Sequence, residues 1–157
     1  MVKNIIQYSA ILITCFLAGC TKTELVSQEE IDEAERLRFA HEKIENALAK
    51  GKKYYEQGQY LKSEEQLYSP IIWESENNEI ISEALKYLAF IYCVNDMQIT
   101  CTQAFERVLQ FDSNFELSSG ERGHPLWDPA FQSARYTHLC LAKRNLKNAN
   151  KHESLCN

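Results

Sequence analysis

Two stretches of this chain repeat one plan, and that plan leaves little room for anything but helices. In the first, apolar residues recur at Ile31, Ala34, Leu37, Ile44, Ala47 and Leu48, close to the 3.6-residue turn of an α-helix, and Tyr54 and Tyr55 extend the stripe. Gly58 interrupts it. A second helix is expected from Tyr60 through Leu67 to about Ile72, with Pro70 inside, where the missing N–H should kink or end it. In the second stretch Ile81, Ala84, Leu85, Leu88, Ala89 and Tyr92 share a face, and a turn follows at 94–100. Cys101, Phe105, Val108, Leu109 and Phe111 form the next face, and Asp112-Ser113-Asn114 is the stop. Ser27-Gln28-Glu29-Glu30 has the pattern of a capping box with acidic residues in the first turn. Asp128-Pro129 opens a C-terminal helix with face residues Phe131, Ala134, Arg135, His138 and Leu139. Five Gly and three Pro in 157 residues are too few to turn a many-stranded β fold. The expected class is all-α.

The two blocks resemble tetratricopeptide repeats, helix–turn–helix units of 34 residues. Gly51, Tyr54, Gly58, Tyr60, Ser63 and Leu67 carry the resemblance in the first block, and Ala89, Tyr92, Cys101, Phe105, Val108 and Leu109 in the second. Small residues belong where paired helices approach, and aromatics fill the holes between them. Tyr54 and Tyr92 are 38 residues apart, so about four extra residues belong to the connection near Trp73-Glu74-Ser75-Glu76. Pro70 stands where the pattern has a small core residue. The resemblance implies about two helical hairpins flanked by an N-terminal helix from Ser27 and a C-terminal helix, each covering one open end.

Residues 1–20, MVKNIIQYSAILITCFLAGC, read as a targeting segment. Lys3 supplies the positive start, and the apolar run Tyr8 to Leu17 is too short to span about 30 Å of hydrocarbon. Leu17-Ala18-Gly19-Cys20 resembles the lipobox of bacterial lipoprotein signal peptides. That resemblance implies cleavage before Cys20, acylation there with more than one chain and stable anchoring. Thr21 follows Cys20, and the lack of Asp at that position implies the outer membrane, facing the periplasm. The expected organisation is a signal peptide at 1–19, a lipidated tether at 20–27, a helical-repeat domain at 28–145 and a polar tail at 146–157.

Of six cysteines, Cys15 leaves with the signal and Cys20 carries lipid, which leaves Cys93, Cys101, Cys140 and Cys156. An even number in an exported chain favours disulfides, and three pairings are open. Cys93 and Cys101 would lie about 12 Å apart along one straight helix, so they pair only if the chain turns between them. Val94-Asn95-Asp96 and Thr100 offer that turn. Cys140 and Cys156 would need a second reversal near Asn148–Asn150, and their pairing stays open. The repeat resemblance puts Cys93 and Cys101 on neighbouring antiparallel helices, in agreement with a bond between them.

Residues 115–131, FELSSGERGHPLWDPAF, combine turn residues with Phe115, Leu117, Leu126, Trp127 and Phe131. Either Trp127 and Leu126 close the edge of the second hairpin, or His124 and Trp127 are exposed anchors for a partner. The stretch from Ala89 to Phe131 is similar to small tetratricopeptide-like lipoproteins associated with type VI secretion systems. The residues that carry this are Tyr92-Cys93, Cys101, Phe105, Phe111-Asp112, Phe115-Glu116-Leu117 and Gly123-His124-Pro125 before Trp127. It implies a protein-binding accessory or scaffold of an envelope secretion machine, not an enzyme. The alternatives are a pilotin-like or outer-membrane assembly lipoprotein of another complex and, further off, a cell-wall-acting enzyme or inhibitor.

No nucleophile motif, phosphate-binding glycine loop or zinc-ligand spacing is present, so no catalytic residue, metal, cofactor or small-molecule substrate is expected. A charge of −5 gives no footprint for nucleic acid. Glu33/Arg36, Glu42/Lys43 and Glu64/Glu65 read as solvated faces, and His41 and His138 as helix-packing residues.

Overall fold

The computed structural model describes residues 27–148, with side chains as far as residue 143. The described residues form six helices and no strand: α1 Gln28–Glu56, α2 Tyr60–Leu67, α3 Pro70–Trp73, α4 Asn78–Val94, α5 Gln98–Phe111 and α6 Asp128–Asn148. Backbone contacts divide the chain after Arg36. In the first unit the expected capping box is formed: the Ser27 N–H donates to Glu30 Oε2 at 2.8 Å, and the Glu30 N–H donates to Ser27 Oγ at 3.3 Å. Ile31 there is exposed.

The second unit is built around α4, the most apolar helix. One of its faces joins Leu67, Ile72, Ile80, Ala84, Leu88 and Ile91 into a core that also takes Ile44, Ala47 and Leu48 of α1. The opposite face meets α5, α6 and the connecting loop through Leu85, Ala89, Phe105, Val108, Leu117, Phe131 and Ala134. Asn77 starts α4 by accepting the N–H groups of Glu79 and Ile80 at 3.0 and 3.3 Å.

Two turns are built alike. Gly58 after α1 and Asp96 after α4 both have left-handed backbones, with φ of 70° and 61°. The Gln59 N–H bonds to Tyr54 O at 2.9 Å and the Gly58 N–H to Tyr55 O at 2.9 Å. The Met97 N–H bonds to Tyr92 O at 2.8 Å and the Asp96 N–H to Cys93 O at 3.2 Å. Each is the paired-bond helix stop that needs one residue in the left-handed region. The second set repeats the first at the 38-residue spacing of Tyr54 and Tyr92.

Gly51 shows why small residues stand where α1 crosses α2. The Ser63 hydroxyl donates to Gly51 O at 2.8 Å, and both residues are buried. A Cβ on Gly51 would come within 2.7 Å of Leu67 Cγ, on a side chain that is fully buried and cannot swing away. Gly51→Ala is therefore expected to destabilise the domain by about 1–3 kcal/mol through overpacking, against a helix-propensity gain of about 1 kcal/mol at most. Urea unfolding checks the sign: a raised midpoint would mean that the helices are free to separate.

Several expectations are corrected. The helix expected to run through Pro70 stops at Leu67. Ser69 is extended, and Pro70 opens the separate four-residue α3 as its first helical residue. A proline there loses no hydrogen bond. Trp73 at the end of α3 donates Nε1–H to Leu67 O at 3.0 Å. The early stripe of α1 is not covered: Ile31 and Leu37 are exposed, and packing on the core begins only at Ile44. His41 is exposed and faces the Glu45 carboxylate at 3.1 Å. The C-terminal helix passes the expected 145 boundary and reaches Asn148, and Leu139 on it is exposed.

Candidate functional site

The most distinctive surface joins α1, α4 and the 112–127 connection. Asp112 ends α5 in an extended conformation, and its carboxylate accepts the Asn114 N–H at 3.0 Å. Leu117 then enters the core, and Arg135 of α6 pairs with Glu116 at 3.2 Å. Gly123 takes the left-handed backbone (φ 74°) that returns the chain towards α4.

On this frame lies a continuous series of ring contacts. Tyr60 meets Tyr55 at 5.8 Å between centroids, Tyr55 meets Tyr87 at 5.2 Å, and Tyr87 meets Phe90 at 5.8 Å. Phe90 meets Trp127 at 4.5 Å, and Trp127 is stacked on His124 at 3.4 Å and 3°. Phe90 is buried, whereas the other five rings are half-buried and show part of their surface. The strip takes its residues from α1, α2, α4 and the connecting loop.

An ionic cluster runs beside the rings. Lys86, only 7% exposed, donates to Glu83 at 2.9 Å and to Glu121 of the loop at 2.8 Å, and Lys52 of α1 reaches the other Glu83 oxygen at 2.9 Å. Lys86 also stands 4.8 Å from the Tyr87 ring centroid and Lys52 5.3 Å. Burial works against the charge on Lys86, but the hydrogen bonds to Glu121 and Glu83 hold its pKa above the ordinary lysine value. Burial likewise works against the Glu121 carboxylate. The Lys86 hydrogen bond and the Ser118 backbone N–H outweigh it and lower its pKa. The hydrogen bond to Glu83 raises that of Lys52. Burial pushes the Tyr55 hydroxyl up to about 12 and raises that of Tyr87. Tyr55 and Tyr87 are therefore neutral donors at any physiological pH.

The expected sites are placed unequally. Cys93 and Cys101 are bonded, with Cα atoms 5.2 Å apart and both residues buried where α4 turns into α5. Cys140 on α6 is disulfide-bonded, whereas Cys156, its expected partner, lies outside the described residues, as does Cys20. Trp127 closes the edge of the α4/α5 hairpin by packing on Phe90 and donating Nε1–H to Glu121 O at 2.9 Å. Leu126, expected to do the same, is exposed. Lys52, Glu83, Lys86, Tyr87, Phe90 and Glu121 were not legible as a group. The one available signal is Lys86 in the middle of an otherwise apolar helix face, three residues after Glu83.

Among the described residues no group of His, Cys, Asp and Glu can hold a metal ion, and no helix is long and apolar enough to cross a membrane. No protein family matches this chain, nor does any curated protein or solved structure.

Proposed function

We propose that this chain is a protein-binding accessory of a bacterial envelope secretion machine of the type VI class. In this reading it is lipidated at Cys20, held at the outer membrane facing the periplasm, and without catalytic activity of its own. The observation that carries the binding role is the strip Tyr60–Tyr55–Tyr87–Phe90–Trp127–His124. Tyrosine and tryptophan give large contact area with polar tips at low entropic cost, as interface centres require. The ionic cluster beside the rings is internally paired, so a partner covering it meets no bare charge. The tetratricopeptide-like reading is supported by the two matching turns at Gly58 and Asp96 and by Gly51 and Ser63 at the helix crossing. Repeats of that kind offer a shared face of first helices as a docking surface.

The test is a photo-crosslinking residue installed in the exported protein at Tyr87, inside the strip, or at Leu61, which is 84% exposed outside it. Crosslinks from position 87 to a membrane-core component of the machine, absent from position 61, are expected. Equal crosslinking from both positions would reject the strip as the binding face. Radiolabelled palmitate should mark the wild type and leave Cys20→Ala unmarked in the same cells. Equal labelling would remove the lipid anchor from the reading.

A further inference from the structure

We propose that residues 118–127 form a latch closed by the Lys86–Glu121 ion pair, which sets whether Trp127 and His124 are presented on the aromatic strip. The biological use of such a latch rests on the strip being the binding face, whereas the latch itself does not.

The ties between this loop and the domain converge on one residue. Glu121 uses one carboxylate oxygen for Lys86 Nζ at 2.8 Å and the other for the Ser118 N–H at 2.8 Å. Its backbone carbonyl accepts Trp127 Nε1–H at 2.9 Å. Arg122 next to it closes the loop on itself through Leu117 O at 2.7 Å. His124 has its ring on Trp127 and accepts the Leu126 N–H at Nδ1 at 3.3 Å. Trp127 is also held by the Phe90 ring and by its own carbonyl, which accepts the Phe131 N–H at 2.9 Å. Release of the Glu121 side chain therefore removes the loop's ion pair to α4 and leaves the Phe90–Trp127 contact to hold the segment there.

The same geometry makes release a local event. A buried lysine stripped of its only partner would be strongly destabilising. Lys86 is different, because Glu83 stays at 2.9 Å on its own helix and is steadied by Lys52 from α1. At neutral pH, as in Glu121→Gln, the lysine keeps the Glu83 carboxylate when the Glu121 charge is gone, so the open form holds no bare buried cation. The charged and titratable groups that face Glu121 are Lys86 and, beyond it, Glu83 and Lys52, with Tyr55 and Tyr87 beside them. With its folded pKa held below the ordinary 4.5, Glu121 contributes fully above that value and is lost as pH falls through the lowered pKa. Lys86, held above 10.5, contributes below that value and is lost only in strong alkali. The latch is closed across the neutral range and opens by neutralisation of Glu121.

The experiment uses the full chain carrying Trp73→Phe, so that Trp127 is the sole tryptophan. Its emission should stay constant from neutral pH down to 4.5 and then shift to the red, with greater acrylamide quenching, while far-UV circular dichroism keeps its helical signal. In the same background Glu121→Gln should already show the red-shifted, quenchable spectrum at neutral pH, and no further acid step in emission. Lys86→Met should open the loop in the same way, giving a second variant if the first folds poorly. A wild-type emission spectrum for Glu121→Gln at neutral pH would overturn the proposal. So would an acid red shift that coincides with loss of helix. Because no partner enters the measurement, its failure is distinct from failure of crosslinking at Tyr87.

Discussion

Removing the Cys93–Cys101 bond as the double variant Cys93→Ala/Cys101→Ala is expected to lower stability by about 2–4 kcal/mol, or roughly 10 °C in melting temperature for a domain of this size. The larger part comes from the unfolded chain. A cross-link between positions eight residues apart removes about 2–3 kcal/mol of loop entropy from the unfolded ensemble in the chain-entropy model. A smaller part comes from the native state, because both sulfurs lie in the core formed by Leu85, Ala89, Phe105 and Phe131, and alanine leaves small gaps there. The bond joins the last turn of α4 to the first turn of α5. Without it the hairpin relies on the left-handed stop at Asp96, where a non-glycine residue already accepts an unfavourable backbone. Urea unfolding with and without reductant measures the effect. An unchanged midpoint, or both thiols alkylated in protein exported without reductant, would show that the bond does not staple the hairpin.

How far the sequence reaches is clear from particular residues. The helices of the second block were legible because Ile81, Leu85, Leu88, Ala89 and Phe105 all face the core they were assigned to. The cysteine pair was legible because the seven residues between Cys93 and Cys101 carry turn chemistry that lets the chain reverse. Pro70 marks a break in the sequence, but periodicity carries Ile71 and Ile72 on as if the helix continued. The break depends on Ser69 adopting an extended backbone, a local conformation that an apolar pattern does not encode. The stripe from Ile31 to Leu37 misled in the opposite way, since amphipathic spacing reports which residues are able to pack and not whether a neighbour is there. The strip and its ionic cluster were beyond reach for a different reason. Lys52, Lys86 and Glu121 come from three separate segments, and only the fold brings their charges together.

Trp127→Ala is expected to cost about 2–4 kcal/mol, somewhat below the figure for a fully buried tryptophan because this ring is half-buried. Three interactions go with it. The tilted ring contact with Phe90 at 4.5 Å is lost, so a buried core ring gains solvent access. The hydrogen bond to Glu121 O at 2.9 Å is lost, which leaves a carbonyl in the loop without its donor. His124 loses the surface on which it is stacked at 3.4 Å. Trp127→Phe separates these effects: it keeps a ring over Phe90, removes only the indole donor, and should cost about 1 kcal/mol. If Trp127 were mainly a projecting anchor, both variants would unfold at the wild-type urea midpoint while crosslinking from Tyr87 was abolished. The expected result is a lowered midpoint for Trp127→Ala, a smaller decrease for Trp127→Phe, and crosslinking that weakens in step with the loss of the ring. In that case the residue that closes the edge of the α4/α5 hairpin is also the one that completes the binding strip, because the same Phe90–Trp127 contact does both.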